Sequence, residues 1–373
     1  MKKNKPYIYY KEIHSLKEFL KSGYNLQNAT LQSIDFTSSK INWHALKLEN
    51  SVFLGCKLTQ EEKFTILEKG GIIFPEFPDL VYNPYRSFLY TWQELYKEVK
   101  PDRSLDLEIY EHFSTHKYAP SMIEALCQRV HDNSIDDALR DYINPDANGN
   151  YNVKSIGIMG GHGTLRNDKY FLEVAKTSQL LAQNGYLIVS GGGPGIMEAT
   201  NLGAYMAKYE QQDLIDAINI LQEAPHYTHE GFHSKATEVL QKYPNSSQSL
   251  AIPTWFYGHE PSNVFASHIA KYFSNSIRED TLLAICIHGI LFAPGSAGTT
   301  QEIFMDAAQN HYKTFDYISP MIFMGKKRYT EETQLFETLK QLSKDKAYGE
   351  LVHLVDSAEE ALDAFLANPP YRV

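Results

Sequence analysis

A turn rich in small residues is the part of this chain whose residue types point most directly to chemistry. Residues 294–302 read PGSAGTTQE, after an apolar run and before a segment with helical spacing. Small residues let the backbone approach a ligand closely, and the N–H groups at the start of a helix suit a phosphate. The carboxylate of Glu302 does not suit a phosphate, so it either caps the helix or faces another part of the ligand. The candidate ligand-binding residues of this turn are Gly295, Ser296, Ala297, Gly298, Thr299 and Thr300.

Alternating strands and helices are predicted to position this turn. The predicted strands are residues 153–159, 186–190, 289–293, 320–324 and 351–355, and the predicted helices include residues 170–184, one that starts at Ile196 and one from Glu302 to about His311. Such alternation predicts an α/β protein with a Rossmann-like, doubly wound and mostly parallel sheet.

Two more glycine-rich turns follow predicted strands. Gly160 and Gly161 come after the first strand, and Gly192 and Gly193 come after the second. Ligands of such sheets bind at the carboxyl ends of the strands, which share one edge. We therefore expect the three turns to meet in one ligand site, with these four glycines among its binding residues.

The N-terminal region has a different character. Residues 1–84 are predicted to be a strand-rich accessory region, because apolar residues recur there at a spacing of five. The first members of this series are Leu26, Leu31, Phe36, Ile41 and Leu46. The spacing resembles a pentapeptide repeat, which leaves open a short β-helix or an irregular strand-rich cap.

A helical connecting segment is predicted over residues 85–150. Ser121 and Ser134 each stand before an apolar run with an acid three residues later, which is typical of a helix N-cap. The polar stretch 144–150 is the predicted domain boundary. Residues 151–373 then form the predicted Rossmann-like domain.

Composition and charge narrow the classes of function. The 373 residues carry a net charge of −10 with a pI near 5.8, which argues against a nucleic-acid-binding surface. The 3 cysteines lie far apart and in no CxxC pair, which argues against a disulfide framework or a cysteine-rich metal site. The sequence contains neither an apolar signal core nor a long apolar run. We expect a cytoplasmic protein with no membrane partner.

Two other motifs would indicate different functions, but each departs from the pattern that its function requires. Residues 161–166 have the first two glycines of GxGxxG but Arg166 in place of the third, which disfavours a nicotinamide dehydrogenase. The segment from His229 to His233 matches the zinc-protease motif HExxH, but Gly231 weakens the helix that both histidines would have to share. We therefore predict a loop or helix start there, and no metal site.

Paired motifs in the second half of the chain resemble those of the LOG ("lonely guy") family. Residues 191–199 read GGGPGIMEA, and the turn at 294–302 is similar to the family motif PGGxGTxxE, with Ser296 in place of its second glycine. The segments IPTWFYGHEP at 252–261 and NSIRED at 275–280 look like the bacterial branch that includes a pyrimidine/purine nucleotide 5′-monophosphate nucleosidase. The resemblance covers about residues 120 to 350.

The resemblance implies roles for individual residues. Glu302 falls on the final glutamate of the family motif and Arg278 on the arginine one strand before it, so these two are the expected catalytic residues. Glu260 falls on a further ligand-contacting glutamate. The family usually has lysine after the arginine, where this chain has Glu279. The aromatic residues 255–257 either stack on a base or belong to the core.

The activity implied by the resemblance is hydrolysis of the N-glycosidic bond of a nucleoside 5′-monophosphate, giving free base and ribose 5-phosphate. Glu302 would stabilise positive charge on the ribosyl ring and orient or deprotonate water, and Arg278 would neutralise phosphate or assist the departing base. The reaction requires no cofactor. Family members pair through helices beside the site, so we expect a homodimer or a dimer of dimers. A non-catalytic nucleotide-binding protein stays open, as does a molybdenum-cofactor carrier, whose phosphate loop should lack the final glutamate.

Overall fold

A computed structural model describes residues 12–23, 25–143 and 153–373 of the chain. Its strands are β1 (Glu12–Ile13), β2 (Thr30–Gln32), β3 (Val52–Leu54), β4 (Ile72–Phe74), β5 (Glu98–Lys100), β6 (Arg103–Ser104), β7 (Ser155–Met159), β8 (Leu187–Ser190), β9 (Ser249–Ala251), β10 (His268–Ile269), β11 (Ile290–Phe292), β12 (Tyr317–Ile318), β13 (Met321–Met324), β14 (Val352–Val355) and β15 (Tyr371–Arg372). Its α-helices are α1 (Leu16–Lys21), α2 (Gln60–Glu68), α3 (Trp92–Leu95), α4 (Leu105–His116), α5 (Met122–Ile143), α6 (Lys169–Gln183), α7 (Ile196–Tyr205), α8 (Gln211–Leu221), α9 (Phe232–Lys242), α10 (Asn275–Ile285), α11 (Ala297–Tyr312), α12 (Leu335–Leu342) and α13 (Ala358–Ala367). Within these described ranges, no helix is both long and apolar enough to cross a membrane.

The chain divides into two compact units, Met1–Leu89 with Ser114–Asn152, and Tyr90–Phe113 with Val153–Val373. The segment predicted from sequence as a connection, residues 85–150, contributes to both units. The predicted boundary at residues 144–150 lies outside the described residues, so the division into three regions stays a prediction.

The first unit contains a parallel sheet of short strands in the order β1-β2-β3-β4. Thr30 pairs with Val52, and the isolated bridge from Asn25 to Lys47 keeps the same offset along the chain. The residues Leu26, Leu31, Phe36 and Leu46 are buried in the core of this unit, whereas Ile41 packs against that core and is partly exposed. The five-residue spacing therefore places apolar side chains inside a stack of parallel strands.

One long helix replaces two predicted helices in this unit. The hydroxyl of Ser121 accepts a hydrogen bond from the N–H of Glu124 at 3.2 Å, as an N-cap does. Ser134 was wrongly predicted as a second N-cap, because it lies buried inside α5, where its hydroxyl donates to the carbonyl of Pro84 at 3.1 Å. A tertiary partner thus takes the hydroxyl that could otherwise have capped a helix.

The second unit contains a seven-stranded sheet in the order β10-β9-β8-β7-β11-β13-β14, in which every adjacent pair is parallel. Strands β7, β8, β11 and β13 are buried along their whole length, as in a parallel sheet covered on both faces. The chain builds the sheet outward from β7, first toward β10 and then through β11 toward β14. The predicted α/β, doubly wound, Rossmann-like fold is confirmed, and its switch point lies between β7 and β11.

The helix that follows β11 begins earlier than predicted. α11 starts at Ala297 with Ser296 as its N-cap residue, and the N–H of Thr300 donates to the Ser296 carbonyl at 3.0 Å. Glu302 therefore lies in the second turn of α11 rather than at the helix start. This position excludes a simple N-capping role for Glu302, because caps use the residues at the start of a helix.

Candidate active site

A pocket of about 140 Å³ opens at the switch point of the seven-stranded sheet. The three glycine-rich turns meet there, and backbone hydrogen bonds join them. The N–H of Gly161 donates to the carbonyl of Pro294 at 3.0 Å, and the N–H of Ile196 donates to the carbonyl of Gly161 at 3.1 Å. Parallel strands bring their carboxyl ends to one edge, so turns that are far apart in sequence form one wall.

Close backbone approach in this wall requires glycine at two positions. Gly195 has φ of 68°, and a Cβ there would lie 2.5 Å from the carbonyl oxygen of Gly161. A side chain at Gly295 would collide with Thr299 in the first turn of α11. The glycines therefore let the second and third turns pack directly against the first.

The turn before α11 offers an anion site. The N–H groups of the first helical turn have no acceptor within the helix, and the helix dipole makes this end positive. Arg328 adds a guanidinium, whose Nη2 donates to the carbonyl of Gly295 at 2.8 Å. A phosphate bound here would meet backbone N–H groups on one side and a positive charge beside the turn.

Arg278 lies at the centre of a buried polar cluster. Its Nη2 donates to Asn275 Oδ1 at 2.9 Å and to Glu279 Oε1 at 3.2 Å. Its Nη1 donates to Glu302 Oε1 at 3.4 Å. Gln301 completes the arrangement by donating from Nε2 to Glu279 Oε2 at 2.6 Å. The guanidinium thus bridges two carboxylates, one from its own helix and one from α11.

Glu302 is 8% exposed and lines the pocket. Burial raises the pKa of Glu302 to about 7, opposed by the positive charge of Arg278 and aided by the negative charge of Glu279. In the part of the chain that the structure describes, Oε1 is bound by Arg278 and no hydrogen bond to Oε2 is present. Such a group changes protonation state near neutral pH, with one oxygen available to a ligand.

Glu260 also lines the pocket and lies next to the second turn. A Cβ placed on Gly193 would lie 3.1 Å from Glu260 Oε2, and Glu260 Oε1 lies 3.8 Å from His162 Nδ1. The exposed ring of Tyr257 also lines the pocket, and its hydroxyl accepts a hydrogen bond from Asn275 Nδ2 at 2.9 Å. Of the aromatic run at 255–257, Tyr257 therefore lines the pocket, while Trp255 belongs to the core.

A buried ion pair supports the loop that carries Tyr257 and Glu260. Asp106 Oδ1 accepts a hydrogen bond from Trp255 Nε1 at 2.8 Å, and the Asp106 carboxylate also binds Lys271 Nζ at 2.8 Å. Lys271 Nζ donates in turn to Ser262 Oγ at 3.1 Å. Both ends of the loop are thereby tied to one ion pair, which restricts the loop's position.

The structure brings most of the residues predicted for the site together. The residues that line the pocket are Gly160, Gly161, Gly193, Glu260, Arg278, Ser296, Gly298, Thr299 and Glu302. The residues that lie outside its lining are Gly192, Gly295, Ala297 and Thr300. Gly192 instead accepts a hydrogen bond from the N–H of Asn263 at 2.9 Å, and Thr300 Oγ1 donates to the Ser296 carbonyl at 3.0 Å. The binding role of all these residues stays a prediction.

Three polar residues of the site were not assigned a role from the sequence. Glu279 was noted as a departure from the family lysine, yet it lines the pocket and binds Arg278. His162 lies inside the glycine motif that was weighed for a dehydrogenase. Arg328 lies far along the chain in a π-helical turn and carries no motif. Of these three residues, only Glu279 had a signal in the sequence, namely its position directly after Arg278.

A larger cavity of about 1230 Å³ lies in the first unit. Its acidic lining residues, Asp35 and Glu76, are both exposed, and its described lining contains no arginine. Buried charged groups that bind one another, such as those around Arg278, indicate a functional site better than the volume of a cavity does. The pocket of the second unit is therefore the candidate functional site.

The HExxH segment has no helix shared by its two histidines. His229 is exposed in a turn, Gly231 has φ of 86°, and α9 begins only at Phe232. The ring of His233 stacks on Tyr96 with 4.3 Å between ring centroids. Among the described residues, the one group of potential metal ligands within 4.8 Å of one another is Glu12, His14 and Asp141 in the first unit.

The chain is similar to the molybdenum cofactor binding protein of the phototrophic bacterium Rippkaea orientalis, at 14% identity over 58% of this chain and 96% of that chain, with a TM-score of 0.37. It is also similar to the Moco carrier protein of Chlamydomonas reinhardtii, at 14% identity over 58% of this chain and 98% of that chain, with a TM-score of 0.36. The curated proteins contain no match.

A sequence-family match covers the start of the second unit. Residues 153–209 match the SLOG cluster4 family, a LOG-like group. These residues include β7, β8 and α7 with the first two glycine-rich turns. The match confirms the resemblance to LOG-like proteins over these residues, and the sheet topology gives the second unit a Rossmann-type fold.

Proposed function

We propose that this protein hydrolyses the N-glycosidic bond of a nucleoside 5′-monophosphate and releases the free base and ribose 5-phosphate. The observation that carries the proposal is the carboxyl group of Glu302. It is buried beside a helix start suited to phosphate, it has one oxygen bound to Arg278, and it titrates near neutral pH.

Binding of the 5′-phosphate at the start of α11 would orient the sugar. Backbone N–H groups of Gly298 and Thr299 and the guanidinium of Arg328 would hold the phosphate oxygens. Because Glu302 lies one helical turn further along α11, its carboxylate would then face the ribosyl ring rather than the phosphate. The same helix thus provides both an anion site and the group that faces the reacting carbon.

Cleavage of the ribosyl C–N bond builds positive charge on the ring. An ionised Glu302 would stabilise that charge and accept a proton from the attacking water. Arg278 would hold the carboxylate in place and favour its ionised form, in opposition to burial. Water attacks C1′, the electron pair of the C–N bond leaves with the base, and a water proton passes to Glu302. A neutral base takes up a proton from the solvent as it leaves.

Incubation with a panel of nucleoside monophosphates, with chromatographic detection of free base, tests the proposal. Release of base together with ribose 5-phosphate supports hydrolysis. Nucleotide binding without base release from any member of the panel would instead identify a non-catalytic nucleotide-binding protein on the same scaffold.

A further inference from the structure

The lining of the pocket carries an excess of negative charge. Its described lining contains three glutamates, Glu260, Glu279 and Glu302, and one basic side chain that is always charged, Arg278. With all of them ionised, three carboxylates against one guanidinium leave a net charge of −2. His162 is the remaining titratable base of the lining, at 3.8 Å from Glu260.

Glu279 distinguishes the charge of this pocket from that of the family pattern. It stands where the family pattern has lysine, so the exchange replaces a positive charge with a negative one. Its carboxylate is 2% exposed and is held by Arg278 and Gln301. The charge of Arg278 is thus shared between two carboxylates, and little of it is left for a ligand.

Groups that suit a phosphate also line the pocket. They are the residues at the start of α11, Ser296, Gly298 and Thr299, and beside them the guanidinium of Arg328, which donates to the carbonyl of Gly295 and pairs with Glu332. A ligand with both an anionic phosphate and a cationic group would match these groups and the carboxylates. A neutral base would leave the carboxylate excess uncompensated, at a cost that a low-dielectric site increases.

The same charge pattern matters for the leaving group. A neutral base leaves with the electron pair of the C–N bond and must gain a proton, whereas a base that is cationic at its glycosidic nitrogen leaves as a neutral molecule. An ionised Glu302 cannot supply a proton to the base while it accepts one from water. A cationic base therefore removes the need for a separate acid.

We propose that the preferred substrates are nucleoside 5′-monophosphates whose base carries a positive charge at the glycosidic nitrogen, as a pyridinium does. This inference rests on the proposed hydrolytic function and narrows its substrate class. Water attacks C1′, the C–N bond breaks, its electron pair neutralises the ring nitrogen, and Glu302 takes one proton from the water.

The test compares nicotinamide mononucleotide with AMP and CMP on the full chain. We expect kcat/KM to be at least about tenfold higher for nicotinamide mononucleotide, because a unit charge near several carboxylates interacts strongly in a pocket. The kcat/KM for nicotinamide mononucleotide divided by that for AMP should fall by about threefold or more in Glu260→Gln and Glu279→Gln. It should fall further in Glu279→Lys. Each ratio compares two substrates on one variant, so a loss of active protein cancels. Glu337→Gln, an exposed acid on α12, is the control and should leave the ratio unchanged.

Calorimetry on Glu302→Gln tests the preference without turnover. Tighter binding of nicotinamide mononucleotide than of AMP supports the inference, and ribose 5-phosphate, which has no base, should bind equally to the Glu260→Gln variant and to the wild type. Equal or better cleavage and binding of AMP would overturn the charge preference and leave the hydrolytic function intact. Absence of base release from every nucleotide would instead contradict the hydrolytic function, while the binding ratio would still decide the preference.

Discussion

The exchange of Glu302 for glutamine tests the centre of the proposed mechanism. It removes one negative charge from the pocket and keeps the size of the side chain and an oxygen that can accept from Arg278 at 3.4 Å. A group that transfers a proton in the transition state contributes about 10²- to 10⁴-fold to the rate. We therefore expect kcat to fall by about 10²- to 10⁴-fold, with the dissociation constant of AMP, whose base is neutral, changed by less than about threefold.

The pKa of Glu302 gives a second expectation for the same pair of proteins. Burial raises this pKa to about 7 in spite of Arg278. Because the ionised carboxylate is the active form, the kcat of the wild type should fall about tenfold for each pH unit below 7. Glutamine does not titrate, so the residual activity of Glu302→Gln should lack this dependence.

The assay measures free base at saturating nucleotide from pH 5 to pH 8. Glu337→Gln is the matched control, because it makes the same chemical change at an exposed position on α12. Wild-type rates that stay flat between pH 5 and pH 7 would refute the reasoning. So would a Glu302→Gln variant that keeps more than about a tenth of the wild-type kcat.

Four further predictions follow from the same structure. Arg278→Ala should weaken nucleotide binding and turnover together, since it releases two buried carboxylates; an unchanged dissociation constant would contradict this. Asp106→Asn removes the charge that holds Lys271, so KM should rise by about tenfold with kcat within about threefold; a matched fall of kcat would indicate a general loss of folding instead. Burial raises the pKa of Asp306 to about 8. The contribution of the protonated side chain to the free energy of unfolding is therefore fully present below the ordinary pKa of Asp and is lost as pH rises through about 8. Asp306→Asn should therefore gain up to about 4 kcal/mol of unfolding free energy relative to the wild type between pH 5 and pH 8, measured by urea unfolding; an equal difference at both pH values would contradict it. Light scattering should give the mass of a dimer or a dimer of dimers, since α11 exposes the apolar rings of Phe304 and Tyr312; a monomeric mass at micromolar concentration would exclude this assembly.

The local character of the main elements could be read from the sequence alone. Apolar runs alternating with helical spacing predicted the strands and helices of the second unit, because each pattern depends on neighbours within one turn or strand. The meeting of the three glycine-rich turns was also predictable, since parallel strands place their carboxyl ends on one edge. Glu302 was identified because it belongs to a contiguous motif.

The details that decide the chemistry depend on tertiary structure. Ser134 looked like a helix cap, but a contact with Pro84 places it inside one long helix. Because α11 starts at Ala297, Glu302 lies in the second turn of the helix, where it lines the pocket instead of capping the helix. The pKa of Glu302 depends on burial, and the support of the pocket loop depends on Asp106, which lies 149 residues from Trp255. Such contacts and desolvation leave no periodic signal in the chain, because they form only when distant segments pack together.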